Sequence, residues 1–192
     1  MNDASPAISV ERLHTPRLLL RELRSDDFEA YADHMANPNA TAYMAGILDR
    51  RRAWSAFASL TGAWMLTGAG WWAVELRATG EFVGTVGGFF RETSLPPGPA
   101  SDLELGWNLL QRFWRNGYAS EAARAALAFG FARHRVRRAI AHIEEMNHAS
   151  IGVARAIGMT LEGEVDFYGV KLLRYVVDRP TTPTSSSSSS SR

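Results

Sequence analysis

The chain has 192 residues, 46% of them apolar, which is enough for one domain with a real core. Its 21 Lys and Arg almost cancel its 20 Asp and Glu, so a net charge of +1 gives nucleic acid no long-range attraction. The absence of cysteine excludes disulfides, thiolate metal sites and a cysteine nucleophile.

The N-terminus through Leu13 lacks a basic start followed by an apolar run, so no signal peptide is read. No apolar stretch approaches the ~20 residues needed to cross a bilayer, and a cytoplasmic location is expected. Residues 1–11 read as a flexible lead and 12–179 as the folded domain. Leucine-rich Arg17 to Arg24 is the first predicted strand. Ser25 reads as the N-cap of a helix that Pro38 closes near Asn37, with Asp26 and Asp27 suited to its dipole.

A second helix is predicted from Asp49 to Leu66, with Ala53, Phe57, Leu60 and Trp64 on one side and Gly68 and Gly70 at its end. Trp71 to Arg77 and Glu81 to Phe90 form a hairpin around Thr79-Gly80. After a proline-rich loop, Glu92 to Ser101, the fourth strand covers Leu103 to Leu110. Tyr118 to His134 is an alanine-rich helix whose basic last turn suits the dipole's negative end. Arg137 to Met146 is the fifth strand, Ala149 to Ile157 a short helix stopped by Gly158, and Leu161 to Tyr168 with Lys171 to Val177 a closing strand pair. Residues 180–192, with seven consecutive serines, cannot bury apolar surface and read as a disordered tail. The fold class is α/β with a mixed sheet.

Between the fourth strand and its helix lies Trp114-Arg115-Asn116-Gly117-Tyr118-Ala119. A strand feeding a helix through such a turn leaves backbone N–H groups unpaired at the helix start, backed by the positive end of the dipole. Gly117 and Ala119 are small enough to let a phosphate reach the main chain. Neither Gly-x-x-x-x-Gly-Lys-Ser/Thr nor Gly-x-Gly-x-x-Gly is present, so the nucleoside-triphosphate and dinucleotide loops are excluded.

The turn resembles the acetyl-CoA signature of the GNAT acetyltransferases, Gln/Arg-x-x-Gly-x-Gly/Ala. It is most similar to the branch of ribosomal-protein N-terminal (alanine/serine) acetyltransferases, where Trp-Gly-Lys-Gly-Tyr-Ala-Thr-Glu-Ala is usual. Thr15 to Arg21, Glu104 to Trp107, and Asn147-x-x-Ser150 followed by Gly158-Met159 and Glu162-Gly163 match that branch in order. The resemblance implies a mostly antiparallel sheet of six or seven strands, splayed into a V between strands 4 and 5, with about four helices. It also implies acetyl-CoA as co-substrate, no metal, and an amine acceptor that is either a protein N-terminus or a small molecule. No nucleic-acid or membrane partner is expected, and the chain is read as a monomer or homodimer.

Acetyl transfer to an amine needs a polarised thioester, a deprotonated amine, a stabilised thiolate and alignment. By resemblance, main-chain donors from Trp107 through Leu109 and Leu110 hold pantetheine and the thioester oxygen. Residues Arg115, Asn116, Gly117, Tyr118, Ala119 and Ser120 hold the pyrophosphate. Leu109 and Leu110 equally suit a core. Period-two alternation places Asp102, Glu104 and Gly106 on one face and Leu103, Leu105 and Trp107 on the other. Glu104 is the candidate base, or else a salt-bridged strand glutamate.

The tyrosine that many GNAT enzymes place seven residues past the asparagine is Ala154 here, so Ser150 is the candidate partner of the thiolate. Asn147 by resemblance steadies pantetheine, though both residues also suit a helix cap. Arg115 and Asn116 replace the branch's glycine and lysine, and Ala156 replaces a frequent lysine. His142 and Glu144 have no third ligand nearby, so metal binding is not read. Acetylation of an antibiotic or other small amine, and a non-catalytic acyl-CoA sensor, remain alternatives.

Overall fold

A computed structural model describes residues 10–44 and 46–180. The predicted serine tail falls on 181–192 and, like residues 1–9 of the expected flexible lead, lies outside the described residues. The elements run β1 (Leu13–His14), β2 (Leu18–Arg21), α1 (Phe28–Met35), α2 (Arg50–Thr67), β3 (Gly70–Leu76) and β4 (Phe82–Phe89). They continue with β5 (Asp102–Leu109), α3 (Tyr118–His134), β6 (Arg138–Ile143), α4 (His148–Ala156), β7 (Thr160–Phe167) and β8 (Val170–Asp178).

The strands form one sheet in the order β1-β2-β3-β4-β5-β6-β8-β7. Every neighbouring pair is antiparallel except β5 and β6. The eighth strand, beyond the six or seven expected, is the two-residue β1, which pairs with Leu19 and Leu20.

Alternation along the strands gives the sheet two apolar faces. Leu18, Leu20, Trp72, Val86, Leu103 and Leu105 pack beneath α3 and α4, while Ala73 and Phe82 meet α1 and α2 through Phe28, Tyr31 and Phe57. Asp49 caps α2 by accepting from the Arg52 amide at 2.8 Å, and Gly68 closes it. Ser25 does not cap α1. Residues Ser25–Asp27 form a 3₁₀ turn, and the Asp27 carboxylate accepts the Arg24 amide instead. Asp27 also takes two hydrogen bonds from Arg21, at 2.7 and 2.8 Å, with both side chains under 5% exposed. A buried guanidinium needs that pairing, and the serine hydroxyl cannot supply it.

Parallel pairing of β5 with β6 is confined to Asp102, Leu103 and Glu104 against Arg138, Ala139 and Ile140. Beyond these pairs β5 runs on to Leu109 beside β4, while β6 continues to Ile143 beside β8. The two strands part there, and the V opens in the middle of the sheet.

Candidate active site

Three regions meet around the V. The first is the entry to α3. Gly117 has φ +76° and Arg115 φ +62°, so the turn reverses through two left-handed residues before the helix begins. The amides of residues 115–120 find no acceptor among the described residues; the first to do so is that of Glu121, bonded to Gly117 O. A row of unsatisfied donors at the positive end of a 17-residue helix suits a diphosphate.

The loop is braced from outside. Arg17 donates to Asn116 O and to Glu121, and its guanidinium lies 4.6 Å from the centre of the Tyr118 ring. The Asn116 side chain folds back onto Phe113 O and Trp114 O, so its contribution to an anion is its main chain. Arg115 and Ser120 lie on the surface of the turn, exposed and half-buried respectively.

The second region is the α3 and α4 side of the V. Asn147 caps α4, its Oδ1 accepting from the Ser150 amide at 3.1 Å, which leaves its side-chain NH₂ free of described partners. Trp107 Nε1–H reaches across to Ser150 Oγ at 3.1 Å. Leu109 is buried, and its carbonyl accepts from the Trp114 indole at 2.7 Å. The donor role expected of Leu110 does not fit the geometry: its amide bonds Val83 O at 2.8 Å and its side chain packs with Phe28 and Tyr31. The chain holds its contact with β4 one residue beyond the strand, and that contact uses the amide.

The third region lies on the opposite face. Trp71, Gly87 and Gly106 stand side by side on β3, β4 and β5. The indole lies flat over both glycines; a Cβ at Gly106 would sit 2.5 Å from it, and one at Gly87 2.6 Å. Phe89 stacks beside the indole at 5.3 Å. Next along the face, Arg91 holds both oxygens of Glu104, while its guanidinium covers the Phe167 ring at 4.5 Å.

Burial pushes the Glu104 carboxyl up, but His142 and Arg91 more than offset it and hold it below the usual carboxylate range. A cavity of about 300 Å³ opens here, lined by Glu104, Arg91, His142, Asp102, Arg174 and Tyr168 among others. Asp102 and Glu104 thus share a face with Gly106, while Leu103 and Leu105 fill the core beneath α3.

Sequence reasoning missed Arg91 and Phe167, and it weighed His142 as a metal ligand alone; Trp71, read from the sequence as core or cleft wall, lies half-buried on this face. Among the described residues no three His, Cys, Asp or Glu side chains cluster to hold a metal ion. No described helix is long and apolar enough to cross a membrane. Arg91 carried no signal in the sequence alone: it is the observed pairing of Phe89 opposite Glu104 that sets the residue two positions on beside that carboxylate.

These features, together with the sequence, match an acyltransferase architecture. The acetyltransferase (GNAT) domain model matches residues 17–160, and the chain belongs to the GNAT acetyltransferase family. It is an N-acetyltransferase, of a family that draws the acetyl group from acetyl-CoA.

The uncharacterized protein YkkB of Bacillus subtilis (strain 168) is 33% identical over 151 residues, 77% of this chain and 84% of YkkB. An acetyltransferase from Agrobacterium tumefaciens str. C58 superposes with a TM-score of 0.78 at 32% identity, covering 89% of this chain and 96% of that one. The RimL ribosomal L7/L12 α-N-protein acetyltransferase, solved with coenzyme A, shares the fold with a TM-score of 0.71 at 17% identity, covering 88% and 98%.

Proposed function

We propose that the chain transfers the acetyl group of acetyl-CoA to a primary amine, a protein N-terminal α-amine in our reading, by direct attack within a ternary complex. One observation carries this: β5 and β6 part after Glu104 and Ile140, between a cluster of free amides on one side and a Glu104-lined cavity on the other. In this reading the amides of 115–120 bind pyrophosphate, unpaired β5 amides near Trp107 and Leu109 bind pantetheine, and Asn147 steadies it through its NH₂. The Ser150 hydroxyl faces the sulfur, and Glu104 supplies the negative charge of the acceptor side. A covalent acetyl-enzyme has no cysteine to form on.

The α-amine follows from the branch resemblance and from energetics. Neutralising an α-amine at pH 7 costs about 1.4 kcal/mol, against roughly 4.6 kcal/mol for a lysine. A cavity at the small end of ligand sites takes a first residue while the rest of a peptide trails outward. The test is calorimetry with CoA, then thiol release from acetyl-CoA with tripeptides starting in alanine or serine, kanamycin and spermidine. Micromolar CoA binding and preferred turnover of the peptides support the reading. Preference for kanamycin or spermidine moves the acceptor to a small molecule, and CoA binding with no turnover leaves a sensor.

A further inference from the structure

A second proton-handling group stands beside Glu104. His142 lies on β6 two residues past the last pair with β5, and its side chain is 10% exposed. Its ring packs on Phe167 at 4.5 Å and lines the acceptor-side cavity. His142 Nδ1 is buried and makes no hydrogen bond among the described residues; it sits 3.4 Å from Glu104 Oε1. A buried, unpaired ring nitrogen is costly, and the cost falls once it becomes an N–H drawn toward a carboxylate.

Glu104 is poorly placed to act as a base by itself. Both its oxygens are taken by Arg91, so it stays ionised and has little hold on a proton at neutral pH. Two oxygens carry about four acceptor directions, which leaves room for an imidazole N–H as well. An imidazole, by contrast, can accept a proton at one ring nitrogen while it donates from the other to a carboxylate.

The other polar groups near the ring already have partners of their own. Arg174, opposite His142 on β8, is held by Asp102 at 2.5 Å and Glu162 at 3.2 Å. Asp166 Oδ1 accepts the Gly169 amide, and the Tyr168 hydroxyl donates to Glu92.

We infer that His142, oriented by Glu104, takes the proton from the acceptor amine; this rests on the transferase reading above. The acceptor arrives as an ammonium and gives one proton to Nε2, while Nδ1–H closes on Glu104. The freed lone pair forms the C–N bond at the thioester carbon, the C–S bond breaks, and the thiolate takes up the second amine proton. The imidazolium then returns its proton to water. Glu104 is a positioning residue in this scheme, and Arg91 keeps its carboxylate ionised and in place.

The test follows thiol release from acetyl-CoA between pH 5.5 and 9, using the best amine from the panel above, with CoA calorimetry alongside. The wild type should show an acid limb in kcat/KM. His142→Asn, which keeps a donor toward Glu104, should lose about 100-fold in kcat and lose the limb, with CoA affinity changed less than twofold. Glu104→Gln should keep the limb but move it to lower pH, because the imidazolium has lost its carboxylate.

Persistence of the limb in His142→Asn, or its erasure in Glu104→Gln alone, overturns the assignment. Should His142→Asn lose CoA binding, the Glu104→Gln profile decides by the same criterion. A wild type that takes up no CoA, or turns over no amine, overturns the transferase reading and this inference with it. A surviving limb in His142→Asn overturns the inference alone.

Discussion

Trp107 and Ser150 meet across the gap between β5 and α4, the indole N–H donating to Oγ at 3.1 Å. The direction of that bond matters. With Oγ already accepting, the hydroxyl hydrogen stays available to donate, as the role proposed for Ser150 toward a departing thiolate requires. Trp107→Phe removes the donor and keeps most of the ring. A neutral hydrogen bond is worth about 1 kcal/mol, so kcat should fall about fivefold while CoA affinity stays within twofold. Steady-state kinetics on Trp107→Phe, Ser150→Ala and the double variant check it. The double variant should be no worse than Ser150→Ala, and additive losses would show that the two residues act separately.

Trp71 should report on the acceptor face. A methyl at Gly106 would lie within 3 Å of its ring, so Gly106→Ala must push the indole off the sheet. Overpacking of this kind costs about 1–3 kcal/mol, tempered here because Trp71 is half-buried and able to swing. The expected outcome is a raised KM for the amine, a red-shifted Trp71 emission, and CoA binding unchanged by calorimetry. A raised KM for acetyl-CoA in place of the amine would put the indole on the wrong side of the V.

Much of this fold was legible because its signals are local. The limits of α3, Tyr118 and His134, follow from a glycine before the first turn and bases in the last. The α2 span shifted by one residue for the same reason, between Asp49 and Gly68. Strand β1 was invisible, since two residues carry no period. Strand β6 ends three residues early because Glu144 turns the chain, accepting the Asn147 amide on its carbonyl and the Met146 amide on its carboxylate. Alternation correctly sorted Glu104 from Leu103 and Leu105. It could not show that Arg91, 13 residues away, and His142, on the next strand, converge on that carboxylate. Those partners are set by strand register, which a single sequence expresses only through pairing.

Gly117 offers a cleaner test of the anion site. Its φ of +76° is one that a side chain adopts only with strain of order 1–3 kcal/mol, and an added Cβ would meet nothing closer than Arg17 Nη2 at 3.5 Å. Gly117→Ala should therefore act through the backbone alone, redirecting the unpaired 115–120 amides. Calorimetry should show CoA binding weakened about tenfold. The affinity for pantetheine, which carries no phosphate, should stay the same. Equal weakening of both ligands would place the pyrophosphate elsewhere.

Acid stability should fall in two steps, the first set by histidines and the second by carboxylates. Burial lowers His34 below the ordinary imidazole value, only partly opposed by its bond to Asn108 at 2.8 Å; burial likewise lowers His134, partly opposed by Gly68 O. A base with a depressed folded pKa binds protons more readily when unfolded. Its contribution is therefore complete above about pH 6.5 and is lost as pH falls below that value. Glu104 is depressed too, but as an acid. Its contribution is full above its ordinary value of 4.5 and drains away only as pH falls further, through the folded pKa. Urea unfolding at pH 8, 6, 5 and 4 should show stability declining from about pH 6.5, with a second decline below 4.5. His34→Gln, which keeps an N–H for Asn108, should reduce the first step, shared with His134, and Glu104→Gln should reduce the second, which Glu22 and Glu121 share because their arginine partners also hold them below the usual carboxylate range. A flat profile from pH 8 to 5 in the wild type would mean that neither histidine is held neutral by the fold.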